Sequence, residues 1–193
     1  MPRPREFDEQ DVVARATDLF WRRGYHATSV RDLGDELGLS ASSLYRTFGD
    51  KHGLFLRALD HYRATETAAA RERLDGPGAA RSVLREWLVR SIDVPAARPP
   101  ARGCFVVNTA TELGSDDPDV DRRTGAAFSA TREAVERVLR RGCTEGELPP
   151  DLDVAAAADA LFTLQLGLQV RARAGHDPAH LTAVIDSAVR GLG

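Results

Sequence analysis

The chain is poor in lysine. Of the 26 basic residues among 193, only Lys51 is a lysine and the remaining 25 are arginines. With the heavy use of alanine, this suggests a GC-rich coding sequence and says nothing about fold. Cysteine is almost as scarce. Cys104 and Cys143 stand 39 positions apart, which excludes a disulfide framework and a CxxC metal pair and fits a reducing cytoplasm. No apolar run reaches the ~18 residues needed to span a bilayer. Basic residues occur in Met1-Pro2-Arg3-Pro4-Arg5-Glu6 with no apolar stretch behind them, so the start does not read as a signal peptide. HExxH, a glycine-rich phosphate loop and a GxSxG elbow are all missing, which weighs against an enzyme. The net charge of −3 does not advertise nucleic-acid binding, but a local basic face matters more than the sum.

What is present reads as helix almost throughout, with glycine and proline as punctuation and no strand-like alternation. About nine helices are expected. Val12, Ala16, Leu19 and Phe20 share one face of a first helix from about Asp8 to Arg23, and Gly24 stops it. Thr28 reads as the N-cap of a second helix that turns Val30, Leu33 and Leu37 inward and ends at Gly38. Ser40 caps a short third helix with Leu44 and Phe48. Asp50 caps a long fourth helix with Leu54, Phe55, Ala58, Leu59 and Tyr62. Gly76-Pro77-Gly78 breaks the chain, and a helix with Val83, Leu84, Trp87 and Leu88 follows. Pro95 to Gly103 reads as a loop and Gly103 to Leu113 as a helix. Asp117-Pro118, Pro149-Pro150 and Asp177-Pro178 precede the last three helices. The fold class is therefore all-α, with a helix-turn-helix domain over about 6–66 and a helical domain over 67–193. The boundary falls inside the fourth helix, so the join is expected to be rigid.

Two short helices meeting at Gly38-Leu39 form a helix-turn-helix pattern. At about 100° per residue, with Leu44 pointing inward, Phe48 lies beside it. Ser42 and Arg46 then point directly away, flanked by Ser43 and Tyr45. All four can donate hydrogen bonds. Arg46 is the best base reader, because a guanidinium can contact guanine O6 and N7 together. Ser43, Tyr45, Thr28 and Lys51 suit phosphate, and Arg3 and Arg5 suit a loose arm along DNA. Spacing alone fits equally well with a solvated helix pair.

The run from Leu33 to Leu54, with Gly38-Leu39-Ser40, Leu44-Tyr45, Phe48, Lys51 and Leu54, resembles the signature of TetR-family regulators. The likeness extends upstream to Phe20, Gly24, Tyr25, Thr28 and Val30. This chain has Ser42-Ser43 where the family usually has Gly-Thr or Gly-Ser, and Thr47 where an aromatic is common. The resemblance implies an all-helical homodimer that binds a near-palindromic double-stranded operator, usually as a repressor released by a small molecule. It puts phosphate contacts at Thr28, Tyr45 and Lys51.

After residue 70 the signal thins. Gly103-Cys104-Phe105-Val106-Val107-Asn108, with Glu112, resembles one helix of a group of these regulators. Trp87, Cys104, Asn108, Phe128, Phe162 and Gln165 could line a ligand pocket with apolar walls and a few polar anchors. The alternative is that the aromatics are core and the amides cap neighbouring backbone. Ala157, Ala160, Leu161, Leu164 and Leu168 on one helix, and Leu181, Val184, Ile185, Ala188 and Val189 on the next, offer an apolar surface for a homodimer. Cys104 follows Arg102 at a helix start, which favours thiolate and raises a redox- or electrophile-sensing alternative. A DNA-binding protein without a ligand is the third reading. His176 and His180 do not read as a metal pair, because Asp177-Pro178 starts a helix between them. No cofactor, no metal and no membrane partner is expected.

Overall fold

The computed structural model describes residues 8–92 and 102–193. Helix α1 (Glu9–Arg23) starts at Asp8, whose carboxylate accepts from the Gln10 N–H at 2.8 Å, and stops at Gly24 with φ 88°. Helices α2 (Val30–Leu37) and α3 (Ala41–Phe48) follow, joined through Gly38 in the left-handed conformation. Only glycine adopts that conformation without strain, so Gly38 fixes the turn angle between them.

The expected long helix from Asp50 is not uniform. It runs as α4 (Lys51–Tyr62), passes through a π turn (Arg63–Thr67) and continues as α5 (Ala68–Leu74). Then come α6 (Ala80–Ile92), α7 (Phe105–Leu113), α8 (Pro118–Thr144), α9 (Val154–Arg173) and α10 (Pro178–Arg190). Counted with α4 to α5 as one rod, the described residues hold nine α-helices and no strand. Helix α7 begins at Phe105, two residues later than expected, because Cys104 is its extended N-cap and Gly103 has φ 64°. Most of the expected Pro95–Gly103 loop and the Arg3/Arg5 arm lie outside the described residues.

Two cores form. The first is built on α1–α4 and reaches Phe105, Val106 and Leu113 of α7 and Val120 and Ala127 of α8. Its centre is an aromatic lattice. Phe55 packs edge-on against Phe20 at 5.0 Å and Phe105 at 5.7 Å, and Tyr62 packs against Trp21 at 5.1 Å and Phe105 at 5.6 Å. The second core joins α5, α6, the C-terminal half of α8, α9 and α10, and is mostly Leu, Ile, Val and Ala around Trp87.

The second core absorbs much of the surface expected for a dimer. Leu161, Leu168, Leu181, Ile185 and Val189 are buried within the protomer. The outward strip of α9 is instead Ala156, Ala160, Thr163, Gly167 and Val170, with Phe162 and Leu166 half-buried beside it. The two faces of α9 are close in hydrophobicity, which is why residue type alone did not separate them.

Candidate DNA-reading site and ligand cavity

The start of α3 gathers three hydroxyls around Ser40. Ser40 Oγ accepts from the Ser43 N–H at 3.2 Å and lies 3.0 Å from Ser42 Oγ and 3.1 Å from Ser43 Oγ. Leu44 and Phe48 face the core. Ser42, Tyr45 and Arg46 are exposed and Ser43 is half-buried. Tyr45 keeps 47% of its surface open, one of only two large hydrophobic residues so exposed among the described residues. Arg46 makes no ion pair among the described residues. The helix thus presents a free guanidinium, a phenol and a serine on a rigid mount, which suits hydrogen bonding into a major groove.

Thr28 is not the cap. It is wholly buried, its hydroxyl donates to the Gly24 carbonyl at 2.6 Å, and it offers no surface to a phosphate in this conformation. The cap of α2 is Ser29, whose Oγ accepts from the Asp32 N–H at 3.1 Å while Asp32 accepts from the Ser29 N–H at 2.9 Å. This reciprocal box satisfies two helix-start donors at once. Ser29, with Arg23 at 2.8 Å, holds the Asp32 carboxyl down to about 2.

Lys51 also has a role that spacing did not reveal. Its half-buried ammonium donates to the carbonyls of Tyr25 and Thr28, each at 3.0 Å, and sits 4.0 Å from the centre of the Tyr25 ring. Two of its three N–H groups therefore clamp the turn between α1 and α2. Burial, then the nearby Asp50 and Asp117 carboxylates, pushes the Tyr25 phenol up.

This turn is gripped from the other domain as well. Glu112 on α7 accepts from the backbone N–H of Tyr25 at 3.0 Å and of His26 at 2.7 Å. Gly24 has φ 88°, which favours glycine, and a Cβ there would stand 2.7 Å from Glu112 Oε2 and push that carboxylate off the turn. His52 Nε2 meets Asp117 Oδ2 at 2.6 Å, and the Trp21 indole N–H donates to the Gly103 carbonyl at 3.0 Å. Arg102 pairs with Asp18. Burial works against the charge on Asp117 as its largest single influence. The Val120 N–H, His52 and the Asp119 N–H together outweigh it and hold that carboxyl low. Glu112 was legible only through resemblance, because a carboxylate that binds backbone leaves no partner residue type to search for.

The residues expected around a ligand do not form one site. An open cavity of about 370 Å³ lies between the π turn, α5, α6 and α9, and takes in Trp87 and Gln165. Tyr62, Glu66, Arg73, Glu86 and Gln169 join them, so its lining is more polar than expected. Asn108 instead borders a smaller hollow of about 230 Å³ against α1, and its amide donates to the Arg102 carbonyl at 2.8 Å. Phe128 and Phe162 pack on each other at 5.7 Å and do not line the larger cavity. Cys104 is half-buried against the aromatic core, with the Tyr62 hydroxyl 3.7 Å from its Sγ. Burial pushes its thiol up, which overturns the expectation of a thiolate: the apolar surroundings outweigh the helix start.

Among the described residues, no helix is long and apolar enough to cross a membrane. No group of three His, Cys, Asp or Glu side chains could hold a metal ion there.

Residues 12–58 match the family described as bacterial regulatory proteins, tetR family, and residues 78–188 match the tetracyclin repressor-like C-terminal domain. The chain is 33% identical over 187 residues to an uncharacterized HTH-type transcriptional regulator, YezE of Bacillus subtilis (strain 168), covering 96% of both. It is 29% identical to the HTH-type transcriptional repressor ComR of Escherichia coli (strain K12), covering 97% of this chain and 90% of ComR. Among solved structures it is similar to a cysteine mutant of the TetR family regulator CifR complexed with 26-bp double-strand operator DNA. The TM-score is 0.88 with 32% identity, covering 99% of this chain and 100% of the other.

Proposed function

Since the chain belongs to the TetR family of bacterial regulatory proteins, we propose that it represses transcription as a homodimer on a near-palindromic operator and leaves it when a small molecule enters the cavity beside Trp87. It is a regulator and not an enzyme in this reading. The observation that carries it is α3, where Ser42, Tyr45 and Arg46 point outward from a helix anchored by buried Leu44 and Phe48. Two such helices related by a two-fold axis read two half-sites about 34 Å apart.

Arg46 reads a base and Tyr45 and Ser43 meet phosphate. Lys51 supports that face from behind and has one N–H left for a phosphate. The DNA-reading domain ends near residue 66, within the π turn. The dimer forms through the outward strip of α9, with Val170 at 54% exposure, and the neighbouring surface of α10.

Release follows from the shared parts. The π turn and Trp87 border the cavity, and the same rod begins at Lys51, which holds the turn between α1 and α2. A ligand that fits only the conformation in which this rod has shifted lowers operator affinity, since differential binding is what moves an equilibrium. Selection of bound DNA from a random pool tests the reading. A palindromic consensus is expected, and Arg46→Ala should cost roughly 1–3 kcal/mol and relax preference at one base pair of each half-site. Uniform loss on every sequence would reduce Arg46 to a phosphate contact. Absence of any consensus would defeat the operator reading.

A further inference from the structure

The buried side chains that line the cavity carry no charge. Glu66, Arg73 and the exposed Glu86–Arg90 pair at 2.8 Å stand at its edge. Inside are Tyr62, Trp87, Gln165 and Gln169, all between 6 and 9% exposed. Gln165 and Gln169 are four residues apart on α9, so their amides lie one above the other on one face. Gln169 Oε1 is buried without a hydrogen-bond partner. Native folds seldom leave such an atom uncompensated. Gln169 lines the cavity, and a turn about the soft terminal torsion of its side chain brings the carboxamide oxygen to the wall, where a bound molecule makes a contact that the protein by itself does not.

We propose that the cavity takes an uncharged planar ring carrying an N–H or O–H donor beside a carbonyl acceptor, as in a lactam, with that polar edge on Gln169 and the ring against Trp87. This rests on the ligand-release reading and narrows it. An ion seated against the buried lining would lose hydration with no opposite charge beside it to replace it. A purely apolar ring would leave the Gln169 oxygen dry and unpaired. An edge with a donor next to an acceptor matches the carboxamide in either orientation of its oxygen and nitrogen. Burial holds the Tyr62 phenol in its neutral form, so the floor stays uncharged across the physiological range.

The test is calorimetric titration of the full chain with 2-quinolone and with N-methyl-2-quinolone, which has the same ring and acceptor but no donor. The expected result is saturation by 2-quinolone at one site per protomer, with the methylated probe at least roughly tenfold weaker. Gln169→Leu should erase the difference, with Gln169→Met as the second variant if the first does not fold. Equal affinities in the unaltered protein, no saturable binding of either probe, or a preference that survives both variants would each overturn the proposal. DNA binding is measured in the same samples without probe. Retained DNA binding with no probe preference defeats the ligand class alone, whereas loss of DNA recognition by the unaltered protein defeats the regulator reading.

Discussion

The two ends of the molecule are finished to different degrees. At the turn between α1 and α2 the polar side chains are used within the chain: Thr28 on Gly24, Ser29 on Asp32, Lys51 on two carbonyls, Glu112 on two N–H groups. Around the larger cavity a glutamine oxygen is left without a partner beside about 370 Å³ of unfilled volume, whereas the hollow against α1 is smaller, about 230 Å³, with the Thr109 hydroxyl unpaired beside it. The difference teaches where each end keeps its specificity. A surface that reads DNA must arrive pre-shaped, because ordering it on contact would subtract from affinity. A sensor must hold unmet contacts in reserve, because a ligand shifts an equilibrium only by contacts that one state offers and the other lacks.

The strongest way to break this comparison is to remove a ring from the finished end. Phe55 is fully buried among Phe20, Tyr25 and Phe105. Phe55→Ala should destabilise by about 3–5 kcal/mol in urea unfolding, whereas Trp87→Phe, beside space that already exists, should cost under about 1.5 kcal/mol. Similar losses at both sites would mean that the cavity end is packed as tightly as the other.

Lys51→Met comes next. It keeps the aliphatic stem and removes the ammonium, so it should cost about 1.5–3 kcal/mol of stability with no DNA present. A variant as stable as the parent, but weak on all DNA sequences, would make Lys51 a phosphate contact and not a clamp.

Glu112→Gln sharpens the link between the two ends. The amide still offers one acceptor oxygen but no charge, so it should cost about 1 kcal/mol in unfolding and weaken the effect of any releasing ligand. Unchanged release would place the coupling elsewhere, in the His52–Asp117 contact or the π turn.

The smallest effect is in acid. The Asp32 carboxyl is held at about 2, below its ordinary 3.8. A lowered value contributes stability that is whole above about pH 4 and fades as the pH falls toward 2. The stability difference between the parent and Asp32→Asn should therefore shrink across that window in thermal unfolding followed by circular dichroism. A difference independent of pH would show that the box at Ser29 works without the charge.

The helices themselves were legible because their signals are local. Gly24, Gly38 and Gly49 stop helices, Ser40 and Asp50 start them, and the projection of α3 separates Leu44 and Phe48 from Ser42 and Arg46 with no knowledge of the rest. The cap at Ser29 was misread by one residue, because Thr28 is an equally good cap by type and only the fold shows its hydroxyl already used by Gly24. Gln165 was picked out, but Gln169, one turn further on the same face, was passed over.

Sequence alone thus determined the helical class, the outward polar face of α3 and the family, since each depends on residues within a few turns of one another. Tertiary structure alone decided that Lys51 and Glu112 hold the same turn from two sides, across separations of 23 to 87 residues. It also decided which leucines of α9 are core, that Cys104 packs against Tyr62, and that the expected pocket residues divide among separate places. Those outcomes depend on which helix faces meet. Hydrophobic burial is non-directional, so the apolar pattern of a single helix does not specify its partner.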